Sequence, residues 1–229
     1  KKNGNYQMTG GADYMDDNML YDIDWCAASY VAVSPIPTTL SDNAALMRLK
    51  GLVPETDCLT LIIDPQEKMP VHVKNADRLA GSLEKLAHAV SRTGKPLIIA
   101  ESYDMGDVLP QVKKYAGEAE TVRHIHPDVW TAPDLEKYVN ALGCRKVIIA
   151  GAATNVEILQ TAEGFIRRGH KVVILEDCCD SPDRRGHELS LKMMEEMGCC
   201  ISTLGTEVMK LTASCSKQVL DAVKNILFT

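Results

Sequence analysis

The chain has 229 residues, a net charge of −6 at pH 7 and 45% hydrophobic residues. That is enough apolar material to bury a full core, and one main domain is the expected count. The acidic balance, with basic residues scattered, argues against nucleic acid as a partner, and no apolar run approaches the roughly 18–20 residues needed to span a bilayer.

Eight cysteines raise the question of disulfides or zinc. No C-x-x-C occurs, and Cys178-Cys179 and Cys199-Cys200 are vicinal pairs at sheet edges or in strands, where small residues are wanted. They read as reduced apolar fillers, which implies a reducing compartment such as a cytoplasm or an organellar matrix.

Residues 1–56 differ from the rest. Lys1 to Asp24 is polar with no sustained period, Pro35 and Pro37 break any helix there, and Ser41 to Leu52 has the spacing of a short helix. The segment reads as an N-terminal arm or extension, with residues 57–229 as the domain. From Leu59 the pattern becomes regular. Leu59 to Ile63 is the first buried strand. A helix follows from Ala76 to Ser91 through Leu79, Leu83, Leu86 and Val90, and Gly94 stops it. Pro96 to Ala100 is the second strand, followed by a loop to Gly106 and a helix near Leu109 to Tyr115. Thr121 to Ile125 is the third strand. Pro133 in a first turn, with Asp134, opens a helix closed by Gly143.

Val147-Ile148-Ile149-Ala150 then reads as a strand buried on both faces of a parallel sheet. Gly151-Ala152-Ala153 turns the chain, and Thr154, Glu157, Ile158, Ala162, Phe165 and Ile166 mark the next helix. Lys171 to Leu175 is the fifth strand, Arg184 to Met197 a helix closed by Gly198, and Cys199 to Leu204 the sixth strand. Helical spacing returns at Val208 to Leu211 and Lys217 to Leu227. Strands alternating with helices mean βαβ units and a parallel sheet with right-handed crossovers. In such a sheet ligands sit at the carboxyl ends of the strands, and free backbone N–H groups of a helix start there can hold an oxyanion.

Three stretches carry a resemblance: Leu61-Ile62-Ile63-Asp64-Pro65-Gln66, the run GAATNVEILQTAEGF from Gly151, and Glu176-Asp177-Cys178-Cys179-Asp180-Ser181 with His187 beyond it. Together they resemble the isochorismatase-like superfamily of cysteine hydrolases over about 57–229. The resemblance implies a three-layer α/β/α fold, a doubly wound six-stranded parallel sheet and frequent oligomers. It also implies an aspartate–lysine–cysteine triad that hydrolyses amides and related bonds, in which a base and a helix N-terminus generate the thiolate.

Asp64 matches the aspartate, with Gln66 in support. The lysine belongs at or just after the third strand, where no lysine stands. Depending on register its place falls to Val122, Arg123, His124 or His126, and Arg123 offers the positive charge. Glu157 stands where the nucleophilic cysteine belongs. A carboxylate cannot replace a thiolate on an amide, since an acyl anhydride is far less accessible than a thioester. Thr154 as N-cap and Glu157 three residues on spell a capping box, worth about 0.5–2 kcal/mol for the cap, and the acid can fold back onto the N–H groups an oxyanion would need. The resemblance places an unusual peptide, sometimes cis, at Ala153–Thr154 in the oxyanion turn.

A catalytically degenerate domain is therefore expected, acting as a structural or binding subunit of a homo-oligomer or larger assembly, with no cofactor and with a small molecule as an alternative partner. The rival is a small-molecule hydrolase for amide or vinyl-ether bonds with a rewired site. In one version His124 and His126, two apart on a strand, join Asp64 and Glu157 around a metal. Asp177 and His187 are expected to shape a loop or a subunit contact, Trp130 to line a pocket or interface or pack its own loop, and Arg184-Arg185-Gly186-His187-Glu188 to form a solvated helix start.

Overall fold

The computed structural model describes residues 58–117 and 119–228. The arm expected over 1–56, with its short helix at Ser41 to Leu52, lies outside them. Six strands form one sheet: β1 (Cys58–Ile63), β2 (Leu97–Ser102), β3 (Glu120–His124), β4 (Lys146–Ala152), β5 (Lys171–Asp180) and β6 (Cys200–Ser202). All pairs are parallel and the spatial order is β3-β2-β1-β4-β5-β6. The helices are α1 (Ala76–Thr93), α2 (Pro110–Ala116), α3 (Leu135–Leu142), α4 (Leu159–Arg167), α5 (Arg184–Glu196), α6 (Leu204–Leu211) and α7 (Lys217–Phe228).

Strand β1 sits in the centre and is buried at every position. Because side chains alternate across a sheet, its residues divide between two cores. Ile62, Ile99, Ile148 and Val173 pack under Leu79, Leu83, Leu86 and Val90 of α1, with Val208, Leu211 and Val223. Leu61, Ile63, Ile98, Ile149 and Ile174 pack under Leu135 and Val139 of α3, Ala162 and Phe165 of α4, and Met194 of α5. The expected three-layer, doubly wound parallel sheet is what forms. Local signals set the helix ends. Asn75 Oδ1 accepts from the Arg78 N–H at 3.1 Å at the start of α1, and Gly94, at φ 65°, ends it in the left-handed region.

Several boundaries differ from expectation. Strand β5 runs ten residues, on to Asp180 rather than ending at the expected Leu175, and its register against β4 shifts between Ile149 and Gly151. Cys178 and Cys179 keep that extension alive because both are buried, apolar and small. Strand β6 is only three residues long, since it is an edge with a single neighbour. Helix α3 begins at Leu135, two residues after Pro133.

The order reverses between β1 and β4, and there the chain is tightest. Gly151 has φ 130°, and a Cβ built on it would collide with the Ile63 carbonyl oxygen. Gly151→Ala is expected to cost about 1–3 kcal/mol of backbone strain and about 1–3 kcal/mol of overpacking. Urea unfolding checks this, and a change in midpoint no larger than that of Gly205→Ala, where a Cβ meets nothing within 4 Å, would refute it.

Candidate active site

The reversal places the ends of β1 and β4 side by side, which is where an open α/β sheet leaves a crevice. Asp64, the residue after β1, has φ 51° and is 3% exposed. Its Oδ1 accepts from the Ser102 N–H at 3.0 Å and faces His124 Nε2 at 2.8 Å. Gln66 fixes the loop opposite: its Nε2 donates to the Ser102 and Gly106 carbonyls at 3.0 and 2.6 Å, and its Oε1 accepts from the Ser102 N–H at 2.8 Å. Asp64 and Gln66 thus act as one clamp on the turn after β2.

His124 takes the place expected for a cation. On β3, Val122 and His124 share the buried face while Arg123 points away. Arg123 does not face Asp64: its side chain is 64% exposed and pairs with Glu101 at 3.5 Å. The His124 ring has an acceptor on each side, because Nδ1 lies 2.9 Å from the His126 carbonyl and Nε2 lies against the Asp64 carboxylate. A carbonyl only accepts, so Nδ1 donates, and an Nε2 that also donates makes the ring an imidazolium. Burial pulls the imidazole pKa down, but the hydrogen bond and charge of Asp64, the His126 carbonyl and the charge of Glu157 outweigh it, and the net shift is upward.

That arrangement removes the metal version of the site. Both nitrogens of His124 are engaged. His126 lies beyond the end of β3 and is exposed, so the shared face read from alternation does not exist. Among the described residues no group of three or more His, Cys, Asp or Glu has a metal-holding arrangement.

The turn after β4 also departs from expectation. The cis peptide is Ala152–Ala153, one residue before the expected Ala153–Thr154. The next turn, Thr154–Ile158, is π-helical, with Ala153 at its N-cap position and α4 continuing from Leu159. Thr154 is therefore no cap. Its hydroxyl lies 2.9 Å from His187 Nδ1, and the Asn155 N–H donates to Ser181 Oγ at 3.2 Å. His187 thus reaches from α5 to the turn after β4. Burial lowers its pKa, which favours a neutral ring. Glu157 does fold back, but onto the Ala153 N–H, at 2.8 Å from Oε2. The wider π turn adds a residue between cap and acid, so the box expected at Thr154 closes on its neighbour.

A cavity of about 170 Å3 is lined by Asp64, His72, Ser102, Asp104, Met105, Ile125, Ala152, Ala153 and Glu157. The Ser102 hydroxyl, 2.9 Å from the Asp104 carboxylate, holds that carboxyl below its ordinary value. Three carboxylates line the space and the His124 cation stands behind Asp64. Such a pocket supplies general bases and accepts donor groups, and it holds no thiol. None of the described cysteines lines it. Burial pushes the Cys179 thiol up to about 12 and the Cys199 thiol up to about 11, where neither is a nucleophile at neutral pH. Both serve as core fillers.

Trp130 stays out of the cavity. It packs on Phe165 at 4.7 Å between ring centroids under the Arg168 guanidinium, and a Cβ on Gly164 would lie 2.5 Å from its ring. It is a packed loop residue, while Arg184 and Arg185 form the solvated helix start expected of them. The His124–Asp64 contact was missed as a particular pairing. The available signal was the alternation from Val122, which puts His124 on the inward face.

The isochorismatase domain pattern matches residues 58–206. Isochorismatase family protein 1B of Dictyostelium discoideum is 24% identical over 170 residues, covering 72% of this chain and 82% of that one. The MAR1 ribonuclease structure from Caenorhabditis elegans superposes with a TM-score of 0.71 at 21% identity, covering 77% of this chain and 92% of that one. The YcaC gene product of Escherichia coli, described as an octameric hydrolase of unknown specificity, gives 0.70 at 20% identity over 77% and 90%. At these identities the two structures speak for the fold.

Proposed function

The chain belongs to the isochorismatase domain family, and on that premise we propose that it has lost thiol hydrolysis and serves as a binding or structural subunit of an oligomer. One observation carries this reading. The Glu157 carboxylate takes up the Ala153 N–H at 2.8 Å, at the position where the resemblance puts the nucleophilic cysteine. The acid both replaces the nucleophile and neutralises a donor that an oxyanion would use. The octameric state of the YcaC product supports the assembly part of the reading.

A second reading has its own support, because the cavity beside Asp64 is open and a cation is kept at His124. Here Asp64 or Glu157 takes a proton from a water that attacks a small amide and returns it to the leaving amine, or Asp64 donates a proton to the vinyl carbon of a vinyl ether, whose oxocarbenium ion water then captures. Turnover of nicotinamide, carbamoyl amides and isochorismate by the full chain separates the two. A short RNA belongs in the same assay, because a neighbour in fold is a ribonuclease. The net charge of −6 and the acidic cavity weigh against RNA. No turnover above that of Asp64→Asn is expected with any of them. Hydrolysis that Asp64→Asn abolishes overturns the inert reading.

A further inference from the structure

Helix α1 carries a second concavity, on the side away from the sheet. Leu79, Leu83, Leu86 and Val90 point into the core, and Gly81, Lys85, His88 and Arg92, each two residues further on, stand on the opposite face. That spacing puts the four on one stripe. With Glu84 beside it and Ala222, Asn225 and Ile226 of α7 as the other wall, the stripe lines a groove of about 580 Å3.

The groove is basic over most of its length. Lys85 and Arg92 are exposed, and among the described residues neither is held in an ion pair. His88 lies between them, its ring stacked on Tyr115 of α2 at 3.9 Å, with Lys114 Nζ at 4.8 Å from that tyrosine ring. Burial, then the charges of Arg92 and Lys114, hold the His88 pKa below its ordinary value against the opposing pull of Glu84. Positive charge is thus in excess at this ring, although the whole chain carries −6. A cleft lined mainly by one sign of charge focuses its field on whatever enters it. At Gly81 the groove is vacant, since a Cβ built there would meet nothing within 4 Å.

Size decides what enters. The volume falls within the roughly 300–1,000 Å3 usual for small-molecule sites, whereas a protein partner takes about 20–30 residues a side. This wall offers eight. Lys85 and Arg92 are about 10 Å apart along the helix axis, a span that two long side chains close on an anion at His88. The Arg92 guanidinium suits a phosphate in particular, because its planar fork can donate to two oxygens at once. The vacancy at Gly81, one turn from Lys85, leaves room for an uncharged body joined to that phosphate.

We propose that the groove between α1 and α7 binds a small organic phosphate, with the phosphate on Lys85, His88 and Arg92 and the organic body over Gly81 against Ile226. The site is separate from the Asp64 cavity and independent of any turnover there.

Calorimetric titration of the full chain with adenosine 5′-monophosphate, inorganic phosphate and adenosine tests it. Salt is kept at about 0.15 M, where exposed charges more than about 8 Å apart are largely screened from one another. The monophosphate is expected to bind saturably, inorganic phosphate more weakly and adenosine not at all. Lys85→Glu with Arg92→Glu is expected to weaken the monophosphate about tenfold or more. Gly81→Leu fills the vacancy, so the monophosphate is expected to fall to the affinity of inorganic phosphate while inorganic phosphate itself binds as before. These side chains stand on the outer face, so thermal unfolding of the charge variant is expected to match the wild type and that of Gly81→Leu to match or exceed it. Absence of saturable binding by either phosphate refutes the site. Monophosphate binding that survives the double charge reversal refutes the phosphate contacts, and a Gly81→Leu variant as tight as the wild type refutes the placement of the organic body.

Discussion

His124→Ala is expected to destabilise the fold by about 3–5 kcal/mol, because it strips the partner from a carboxylate that is 3% exposed. Asp64 Oδ1 would keep the Ser102 N–H at 3.0 Å but lose the ring at 2.8 Å, leaving a buried carboxylate without its charged partner. His124→Lys, which restores a cation, is expected to lose less than the alanine variant. The effect has a pH signature with a definite sign. The folded pKa of His124 lies above the ordinary 6.5, so the contribution is complete below about 6.5 and disappears as pH rises through the folded value. The NMR titration of the His124 ring is expected to show a midpoint above 6.5, and urea unfolding of the wild type should weaken over that interval. His124→Gln carries no titrating ring and should flatten that limb. A midpoint at or below 6.5 would show that the ring is neutral and that Asp64 is held by hydrogen bonds alone.

The second large effect lies at the other end of β4. Lys146 opens that strand with its side chain 2% exposed, and its Nζ is 2.9 Å from Glu207 Oε2 on α6. Glu207 is equally buried and also accepts from Lys210 Nζ at 2.8 Å and Ser202 Oγ at 2.9 Å. Removing both charges and removing one differ sharply. Glu207→Ala leaves a buried ammonium without its carboxylate and is expected to cost about 3–5 kcal/mol. The double change Lys146→Met with Glu207→Leu keeps volume and discards both desolvation penalties, so it should lie within about 1 kcal/mol of the wild type or above it. Burial would raise the Glu207 pKa, but the three donors reverse the shift and its folded value lies below 4.5. Its contribution is present above about 4.5 and vanishes as pH falls through the folded value, opposite in sense to His124. Equal losses for the Glu207→Ala single and the double variant would show that packing rather than charge holds this joint.

These two joints bear on the functional reading. On the proposed reading, the His124–Asp64 pair stands in for the lysine and aspartate that the resemblance implies, and keeps a paired charge in the pocket. What changed is the third member. Glu157 completes a turn that needs an acceptor at the Ala153 N–H, and this need is structural whether or not a ligand ever enters.

The strands were legible because burial on both faces leaves a plain mark. Leu59 to Ile63 and Val147 to Ala150 can be nothing but central strands of a parallel sheet, and helical spacing between Leu79 and Val90 fixes α1 without reference to anything distant. Asp64 was singled out by the resemblance, at the end of such a strand, rather than by its pattern alone. Glu157 was legible as an acid at a helix start, though not its partner. The exchange of Arg123 for His124, the shift of the cis peptide to Ala152–Ala153 and the π turn that moved the acid onto the Ala153 N–H belong to the tertiary structure. Each turns on register, and a change of one residue reverses which side chain faces the core or moves a carboxylate from one N–H to the next. Local sequence determined which segments are strands and helices, because burial and periodicity act over a few neighbours. Only the packed sheet decided which of two adjacent side chains meets Asp64, because that contact spans 60 residues and depends on how far each strand slides along the next.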